Sequence, residues 1–361
     1  MDHDTVRVYE RLAAEWSAAR AGSDPSIAGA FRTWADGRGP LVDLGCGPGM
    51  YFDALAGQAS NGLVVGLDAV AAMLHLAAKS GVGVPLVRAD LEALPFRRGV
   101  LGAAWAKNSY VHVEPQRLPL ALADLHRALE PGGKTELRMF LGGTTFGPTP
   151  ADEFPGRQFA EWDLDTLLHT IESAGFRLEN TTMTEAGVTI RAVRERMLPD
   201  VVENSMELLF CGLNPSLYAA DRGIPFGRPG NRFWPSLAAA GFATSKRDPR
   251  ELLERYHIGT TDLVKRATTR ATELSRAEFV AGLQRLHRLC SWLQPRTLCV
   301  LGITGWRAAI GRPSATAGWQ TERIGGVPVF VMGNPSGLNA HATRDTLSRE
   351  ICSALAGPDG P

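Results

Sequence analysis

Apolar and polar positions in the first half of the chain follow a helical period and then an alternation of strands and helices. Residues 1–35 mix polar and apolar positions as amphipathic helices do. From Pro40 onward, short apolar runs predict strands in LVDLG, VVGLDA, PLVRAD, VLGAAWAKN and KTELRMFLGG. Helical periodicity separates them in VAAMLHLAAKSG and LPLALADLHRALEPGG. This alternation predicts a mainly parallel sheet with helices on both faces.

A second alternation of strands and helices begins after residue 205. Before it, a turn-rich insertion follows Gly142, and then come a helix (WDLDTLLHTIESAGF) and two strand-like runs (RLENTTMTE and VTIRAVRERM). Residues 199–205 have the pattern of a connector. Beyond them we predict strands in ELLFCGLNP, IGTTDLV, TLCVLG and VPVFVMGNP, and helices in NRFWPSLAAAG, near residues 249–255, in SRAEFVAGLQRLHRLCSWLQ and at about residues 343–356.

The length and the two alternations together predict two α/β domains. A domain has roughly 100–200 residues, and the chain has 361. We therefore predict two α/β/α sandwiches, over residues 1–200 and 206–361, without an internal repeat.

The charge differs between these halves, although the net charge of the chain is zero. Residues 1–205 contain 19 Lys and Arg against 26 Asp and Glu, and residues 206–361 contain 19 against 12, so the halves carry −7 and +7. A basic half beside an acidic half indicates either phosphate binding by the basic half or a surface bias without function.

The composition argues against membrane, secreted and metal-binding classes. No run of about 20 apolar residues is present, as a transmembrane helix requires, and the first residues lack the apolar run of a secretory signal. The five cysteines form no C-x-x-C pair. We therefore expect reduced, buried thiols in a cytoplasmic protein, with no metal site and no membrane partner.

The first half contains the glycine-rich sequence Asp43-Leu44-Gly45-Cys46-Gly47-Pro48-Gly49 directly after a predicted strand. Glycines there let the backbone turn tightly and approach a ligand closely. Asp68 ends the next strand, where an acid can accept hydrogen bonds from both hydroxyls of a ribose. The combination predicts a ligand that contains a nucleoside, and the alternative for Asp68 and Asp90 is ordinary helix capping.

This segment, residues 1–200, resembles the class I S-adenosylmethionine-dependent methyltransferases, whose domains are Rossmann-like. The resemblance implies that Asp43, Gly45, Gly47 and Gly49 line the methionine part of S-adenosylmethionine, that Asp68 takes the ribose, and that Asp90 and Leu91 flank the adenine. Asn108, at the end of the fourth strand, falls close to the transferred methyl group or is an ordinary loop residue. The sequence does not identify the methyl acceptor. Tyr9 and Trp16 either cover the substrate or pack in the core, and we favour the core.

The second half has two Asn-Pro turns, each directly after an apolar strand. Gly212-Leu213-Asn214-Pro215 follows LLFC, and Asn334-Pro335-Ser336-Gly337 follows VPVFVMG. Open α/β sheets bind ligands at the carboxyl ends of their strands, so we expect the two turns to face one cleft. Between them, Gly223-Ile224-Pro225-Phe226 places an aromatic ring on a loop, and Pro229-Gly230-Asn231-Arg232-Phe233-Trp234 opens a helix whose first N–H groups favour an anion.

Together, these motifs over residues 207–355 resemble the mismatch-specific uracil/thymine-DNA glycosylases of the uracil-DNA glycosylase superfamily. The resemblance implies that Asn214 positions the attacking water, that Phe226 stacks on a flipped base, and that Asn334 and Ser336 shape the pocket and hold the adjacent phosphate. It also implies that Leu338 enters the duplex while Gly337 and Asn339 offer main-chain groups to the opposing guanine. No cofactor is expected for this reaction.

One departure from the family pattern is Ser216, which stands where the family often has glycine and is tolerable there. Two other positions bear on the base preference. Asp262 stands where related enzymes carry Asn or Lys, and an acid there either accepts from a base N–H or, when protonated, donates. Ala219 corresponds to alanine in the thymine-excising members, which leaves room for a methyl group. The preference among uracil, thymine and hypoxanthine stays open.

The sequence therefore predicts a DNA repair glycosylase that acts on bases mispaired with guanine in double-stranded DNA, fused to a methyltransferase. One alternative is that the methyltransferase is the main activity and the second domain only binds mismatched or abasic DNA. Another is that the first domain has lost catalysis and serves as a scaffold.

Overall fold

The computed structural model describes residues 2–57, 63–80, 83–150, 152–185, 187–337, 339 and 342–358. Contacts divide the chain into two compact units. The first comprises Met1–Glu172 and Phe176–Glu195, and the second comprises Ser173–Gly175 and Arg196–Pro361. The division therefore falls a few residues before the predicted connector, and Val201 within that connector forms an antiparallel bridge with Thr260 of the second unit.

The first unit contains helices and strands in alternation over most of its length. The helices are α1 (His3–Ala19), α2 (Ser26–Trp34), α3 (Phe52–Ala56), α4 (Ala71–Ala77), α5 (Leu118–Ala128) and α6 (Leu164–Ser173). The strands are β1 (Leu41–Leu44), β2 (Val64–Asp68), β3 (Leu86–Arg88), β4 (Leu101–Lys107), β5 (Leu129–Leu141), β6 (Thr145–Gly147), β7 (Phe159–Trp162), β8 (Phe176–Thr184) and β9 (Gly187–Arg194).

The sheet of the first unit has the order β3-β2-β1-β4-β5-β7-β6, and β9 pairs with β5 and β8. The strands β1 to β5 pair in parallel, whereas β8 and β9 are antiparallel. The chain order reverses between β1 and β4, and at such a point the loops leave a crevice beyond the carboxyl ends of the strands.

The boundary between α5 and β5 differs from the prediction. The sequence predicts a helix up to the Pro-Gly-Gly sequence at residues 131–133, but α5 ends at Ala128 and β5 begins at Leu129. The physical reason is Pro131, because a proline lacks an N–H and disfavours helical geometry in the residue before it.

The second unit contains a smaller sheet with the order β11-β10-β12-β14-β13. Its strands are β10 (Leu208–Gly212), β11 (Ile258–Asp262), β12 (Leu298–Leu301), β13 (Gly318–Ile324) and β14 (Val327–Met332). Its helices are α7 (Leu217–Arg222), α8 (Phe233–Ala239), α9 (Pro249–Tyr256), α10 (Arg276–Leu293), α11 (Ile303–Ile310) and α12 (Arg344–Ala356). Only β13 is antiparallel to its neighbour among the pairings described.

The two sheets confirm the predicted α/β fold class. The prediction omitted α7, α11 and β13 in the second unit and α3, β6 and β7 in the first. A buried apolar cluster joins the second sheet to α8 and α12 through Phe210, Phe233, Leu237, Phe330 and Leu347. Within the described part of the chain, no helix combines the length and the apolar character needed to cross a membrane.

Candidate functional site

A cavity of about 520 Å³ lies beyond the carboxyl ends of β1, β2 and β4 in the first unit. Six of the residues predicted for this site line it: Asp43, Gly45, Gly47, Asp68, Leu91 and Asn108. Gly49 and Asp90 lie outside the lining. Gly49 sits at φ +80° in the turn before α3, where an added Cβ would meet the Phe52 ring at 2.5 Å. Asp90 accepts from the backbone N–H of Glu92 at 2.9 Å.

The glycine-rich loop is packed tightly against the turn that follows β4. Gly45 has a φ of +72°, and a Cβ on it would lie 2.5 Å from the Cβ of Ser109. Only glycine tolerates both conditions. The loop therefore brings its backbone to the cavity wall beside Asn108, whose own φ of +56° is also in the left-handed region.

Asp68 holds the loop as well as lining the cavity. Its carboxylate accepts from the backbone N–H of Gly47 at 2.8 Å and from that of Val70, just before α4, at 2.9 Å. Asp68 does not cap α4, because the N-cap residue is Val70 and the backbone N–H groups of Ala71 and Ala72 donate to the carboxylate of Glu10 instead. Burial raises the pKa of this carboxyl.

Asp43 is a buried acid in the wall of the cavity. Its side chain is buried, and its Oδ2 has no hydrogen-bond partner among the described residues. Burial, with the nearby Asp68 adding to it, raises the pKa of Asp43 to about 8, although Lys107 acts in the opposite direction. A buried acid with an open oxygen is suited to a cationic or hydrogen-bond-donating ligand group.

A hydrogen-bonded chain of three side chains forms another part of the same wall. Arg157 Nη1 donates to Tyr9 Oη at 2.7 Å, Tyr9 Oη lies 2.9 Å from His112 Nε2, and His112 Nδ1 lies 2.7 Å from the carbonyl oxygen of Gln158. Tyr9 and Trp16 thus line the cavity, while they also pack against a small cluster that contains Val70 and Met73.

In the second unit, Asn214 follows β10 and its side chain is fixed by hydrogen bonds. Its Nδ2 donates to Thr268 Oγ1 at 2.7 Å, to the carbonyl oxygen of Arg266 at 3.0 Å and to that of Pro215 at 3.2 Å. Ser216, next in the chain, caps α7 by accepting from the backbone N–H of Ala219. Ala219 is buried in α7.

Phe226 and Asp262 meet at Gly212. A Cβ on Gly212 would lie 2.5 Å from Asp262 Oδ1 and 3.0 Å from the Phe226 ring, so the missing side chain makes room for both. Phe226 has a φ of +55°, which is strained for a bulky residue, and its ring lies 4.2 Å from that of Phe233. Asp262 ends β11 opposite Gly212, and burial raises the pKa of its carboxyl to about 6.

The second Asn-Pro turn follows β14 and is held by Arg232. Asn334 Oδ1 accepts from the backbone N–H of Ser336 at 2.9 Å, and Asn339 Nδ2 donates to the Asn334 carbonyl oxygen at 3.1 Å. Arg232 Nη1 donates to the carbonyl oxygens of Asn339 and Ala342 at 2.7 and 3.0 Å. Gly337 lies against Gly230, because a Cβ on it would be 2.7 Å from the Gly230 carbonyl oxygen.

Both Asn-Pro turns lie at the carboxyl edge of the second sheet, with β12 between their strands. The sequence predicted that the first N–H groups of the helix at Phe233 favour an anion. In the structure, the backbone N–H of Phe233 donates to Asn231 Oδ1 at 2.9 Å, so this group is not available to an anion. Leu338, predicted to enter the duplex, lies outside the described residues.

Residues 199–356 match the uracil DNA glycosylase superfamily, and residues 41–133 match a methyltransferase domain family. The chain joins a methyltransferase domain to a uracil DNA glycosylase superfamily domain. This is the combination that the two sets of motifs predict.

Solved structures similar to the methyltransferase domain include an S-adenosylmethionine-dependent methyltransferase from Mesorhizobium loti, with 22% identity over 43% of this chain and 90% of the other, at a TM-score of 0.37. A second is from Methanosarcina mazei, with 16% identity over 43% and 92%, at a TM-score of 0.38. A third is the 1,6-didemethyltoxoflavin-N1-methyltransferase of Burkholderia thailandensis, with 19% identity over 53% and 88%, at a TM-score of 0.41.

Sequence reasoning missed three polar residues in these two domains. In the methyltransferase domain they are His112 and Arg157, and in the glycosylase superfamily domain it is Thr268. His112 lies four residues beyond Asn108, in the turn after β4, which is a signal that the sequence did offer. Arg157 and Thr268 lie far along the chain from the residues they contact, so spacing gave no sign of them.

Proposed function

We propose that the second domain is a DNA glycosylase that hydrolyses the N-glycosidic bond of a uracil- or thymine-type base mispaired with guanine in double-stranded DNA. The observation that carries this proposal is the fixed side chain of Asn214 at the end of β10. Three acceptors engage its Nδ2. Its oxygen is then the atom available to accept a hydrogen bond from a water.

The other groups at this edge of the sheet fit base excision. Phe226 offers a ring for a flipped base, and Asp262 beside it offers a carboxyl for the base edge. When the bond breaks dissociatively, the sugar becomes oxocarbenium-like and the base leaves as an anion. Such a reaction needs water placement and a shaped pocket more than a strong base, which agrees with Asn at position 214.

The binding of DNA is part of the same proposal. The excess of Lys and Arg over residues 206–361 suits a phosphate backbone. The turn at Asn334–Ser336 and the segment at Gly337, Leu338 and Asn339 are proposed to hold the phosphate, the emptied base position and the opposing guanine. Ala219 is proposed to leave space for the methyl group of thymine.

We also propose that the first domain binds S-adenosylmethionine and methylates an acceptor that is not yet known. The open Oδ2 of Asp43 suits the amino group of the methionine part, and the loop at Gly45 and Gly47 suits its close approach. Asp68 retains lone pairs for ribose hydroxyls. When bound, S-adenosylmethionine would supply an electrophilic methyl group, and the protein needs only to align the acceptor and exclude water.

The test of the glycosylase proposal is single-turnover excision by the full chain on duplexes with G·U, G·T and G·hypoxanthine pairs and on a matched G·C duplex. Alkali after the reaction converts each abasic site into a strand break. We expect breaks at the mispaired base only. Tight binding to the mismatched duplexes without breaks would instead support a DNA-binding module.

The test of the methyltransferase proposal is calorimetric titration of S-adenosylmethionine into the same protein. We expect one site, and we expect Asp68→Asn to weaken it. Absence of a heat of binding at millimolar ligand in the wild type would contradict the proposal.

A further inference from the structure

The chain of hydrogen bonds at Tyr9 has one consistent arrangement of protons. His112 Nδ1 faces a carbonyl oxygen, that of Gln158, which can only accept. Burial lowers the pKa of His112 to about 4, so the ring is neutral near pH 7. A neutral ring has one N–H, and the carbonyl assigns it to Nδ1. His112 Nε2 is therefore an acceptor.

This assignment determines what Tyr9 can offer to the cavity. The Tyr9 hydroxyl has one proton, and His112 Nε2 at 2.9 Å accepts it. Arg157 Nη1 donates to the same oxygen at 2.7 Å, and Arg157 is itself held by its ion pair with Asp152. With its proton used and one lone pair occupied, Tyr9 Oη keeps only a lone pair for a ligand.

The surroundings of Tyr9 belong to a cavity that suits a small planar molecule. Aromatic rings line it at Tyr9, Trp16, Phe140 and Phe159. Its volume of about 520 Å³ lies in the lower half of the range for small-molecule sites, about 300–1,000 Å³. Because the proposed cofactor fills part of that space, the acceptor is limited to a small group.

We infer that Tyr9 selects a methyl acceptor that carries an O–H or N–H donor on a small aromatic or heteroaromatic ring. Tyr9 contacts the acceptor, whereas His112 and Arg157 act as positioning residues because they fix the direction of the Tyr9 proton. The inference rests on the proposed methyltransferase function of the same cavity.

The arrangement also separates substrate from product. On methylation the acceptor O or N would gain a bond to the methyl group, the bond from that group to the sulfur of S-adenosylmethionine would break to leave S-adenosylhomocysteine, and the acceptor proton would pass to water. The product then presents only lone pairs at that position. A product of this kind faces the Tyr9 lone pair without a donor, and an unpaired buried polar atom weakens binding. The Tyr9 site therefore binds the unmethylated compound more tightly than its methylated product.

The experiment measures binding rather than turnover, with four defined probes and protein saturated with S-adenosylhomocysteine. Phenol and benzimidazole carry a donor, and anisole and N-methylbenzimidazole are their methylated counterparts. Ligand-observed NMR titration gives the ratio of dissociation constants within each pair. In the wild type we expect the donor-bearing member to bind about tenfold more tightly, the contribution of one hydrogen bond.

Two variants test the roles of the residues. Tyr9→Phe keeps the ring and removes the oxygen, so the ratio should fall to about one. His112→Leu releases the Tyr9 proton toward the cavity, so the ratio should again fall to about one although Tyr9 is intact. The matched control is Tyr110→Phe, because Tyr110 is buried two residues from His112 and its hydroxyl has no partner among the described residues. Its ratio should equal that of the wild type.

S-adenosylmethionine titration distinguishes the possible failures. If the wild type does not bind S-adenosylmethionine, the proposed function fails. If it binds S-adenosylmethionine but no donor-bearing probe, or binds both members of each pair equally, only this inference fails. If His112→Leu does not fold, the Tyr9→Phe ratio decides. Nitrogen-15 NMR of the His112 ring gives an independent test, and protonation at Nε2 rather than Nδ1 would overturn the assignment.

Discussion

The side-chain nitrogen of Asn214 donates a hydrogen bond of 2.7 Å to Thr268 Oγ1. That hydroxyl donates its own proton to the carbonyl oxygen of Arg270 at 3.0 Å, so it faces Asn214 with a lone pair. The amide is therefore held in one orientation. Asn214 is thus preorganised, and its function should depend on a hydroxyl that lies more than 50 residues away along the chain.

Asn214→Ala should abolish base excision and leave DNA binding nearly intact. Phosphate contacts carry most of the affinity for DNA, whereas a positioned water acts in the transition state. We expect single-turnover excision from a G·U duplex to fall about 100-fold or more, with a dissociation constant close to that of the wild type. Asn180→Ala, an exposed asparagine of the first domain, is the control. A wild-type rate of excision in Asn214→Ala would show that a residue other than Asn214 positions the water.

Thr268→Val should lower the rate of excision while preserving the fold. Valine has the shape of threonine but cannot accept from Asn214 Nδ2, so the amide loses one of its three acceptors. We expect the single-turnover rate to fall about tenfold, the value of one hydrogen bond, with unchanged DNA affinity. Thr268→Ser restores the hydroxyl and should recover the rate. Equal rates for the valine and serine variants would show that the contact has no role in orientation.

The charge of Asp262 should make the second domain less stable as the pH rises. Its pKa is raised from 3.8 to about 6 by burial, so the folded state binds the proton more tightly than the unfolded state. The stabilisation is complete below about pH 4 and is lost as the pH rises through about 6. Asp262→Asn stays neutral at every pH. Between pH 4 and pH 7 its free energy of unfolding should therefore rise by on the order of 3 kcal/mol relative to that of the wild type. Denaturant unfolding of both proteins at the two pH values measures the difference. Glu254→Gln, an exposed change, should show no such gain.

Binding of S-adenosylmethionine should release a proton from Asp43 near neutral pH. The raised pKa, about 8, leaves this carboxyl mostly protonated at pH 7 in the empty cavity. A cationic ligand group favours the ionised form and lowers that pKa, so a proton leaves on binding. Calorimetry at pH 7 in buffers with different ionisation enthalpies should detect the release. It should disappear in Asp43→Asn, whose amide carries no ionisable proton. Persistence of the release in that variant would assign the proton to another group.

Arg232→Met should loosen the second Asn-Pro turn. The guanidinium donates to carbonyl oxygens of Ser336, Asn339 and Ala342. A hydrogen bond to a charged group contributes about 1.5–3 kcal/mol to stability. Methionine keeps the aliphatic part of the arginine side chain and removes only these hydrogen bonds. We expect a loss of about 2–3 kcal/mol in the free energy of unfolding. Arg228→Met, at an exposed position of the same loop, should be neutral, and equal losses in both variants would argue against a specific clamp.

The fold was predictable wherever a strand was buried on both faces. The segments LVDL and VVGLD are apolar runs because both faces of a central parallel strand are covered. The strand GWQTERI was missed because it lies at the edge of its sheet, where most of its side chains are partly exposed and no apolar run is needed. The helix ITGWRAAI was missed because eight residues give too few turns for a clear period and its N-cap residue, Gly302, offers no capping side chain. The equally short α9 was predictable because Asp248 and Pro249 mark its start.

The sites were predictable only to the extent that local motifs carry them. Asp43 and Asp68 lie at the ends of β1 and β2, and Asn214 and Asn334 come just after β10 and β14. Parallel strand order therefore places each pair at the carboxyl edge of its own sheet. Tyr9 and Arg157, by contrast, are joined across 148 positions by a loop insertion with no periodicity. The orientation of a proton along such a chain depends on distances between side chains, which a sequence does not encode locally.

Gly212 places a constraint on the proposed base pocket that matters for engineering. Asp262 and the Phe226 ring occupy the space that a side chain at position 212 would need. A library that changes the base preference should therefore randomise positions 226 and 262 jointly and hold 212 as glycine. Saturating position 212 by itself would yield few folded variants, because any larger residue there displaces both Asp262 and the Phe226 ring.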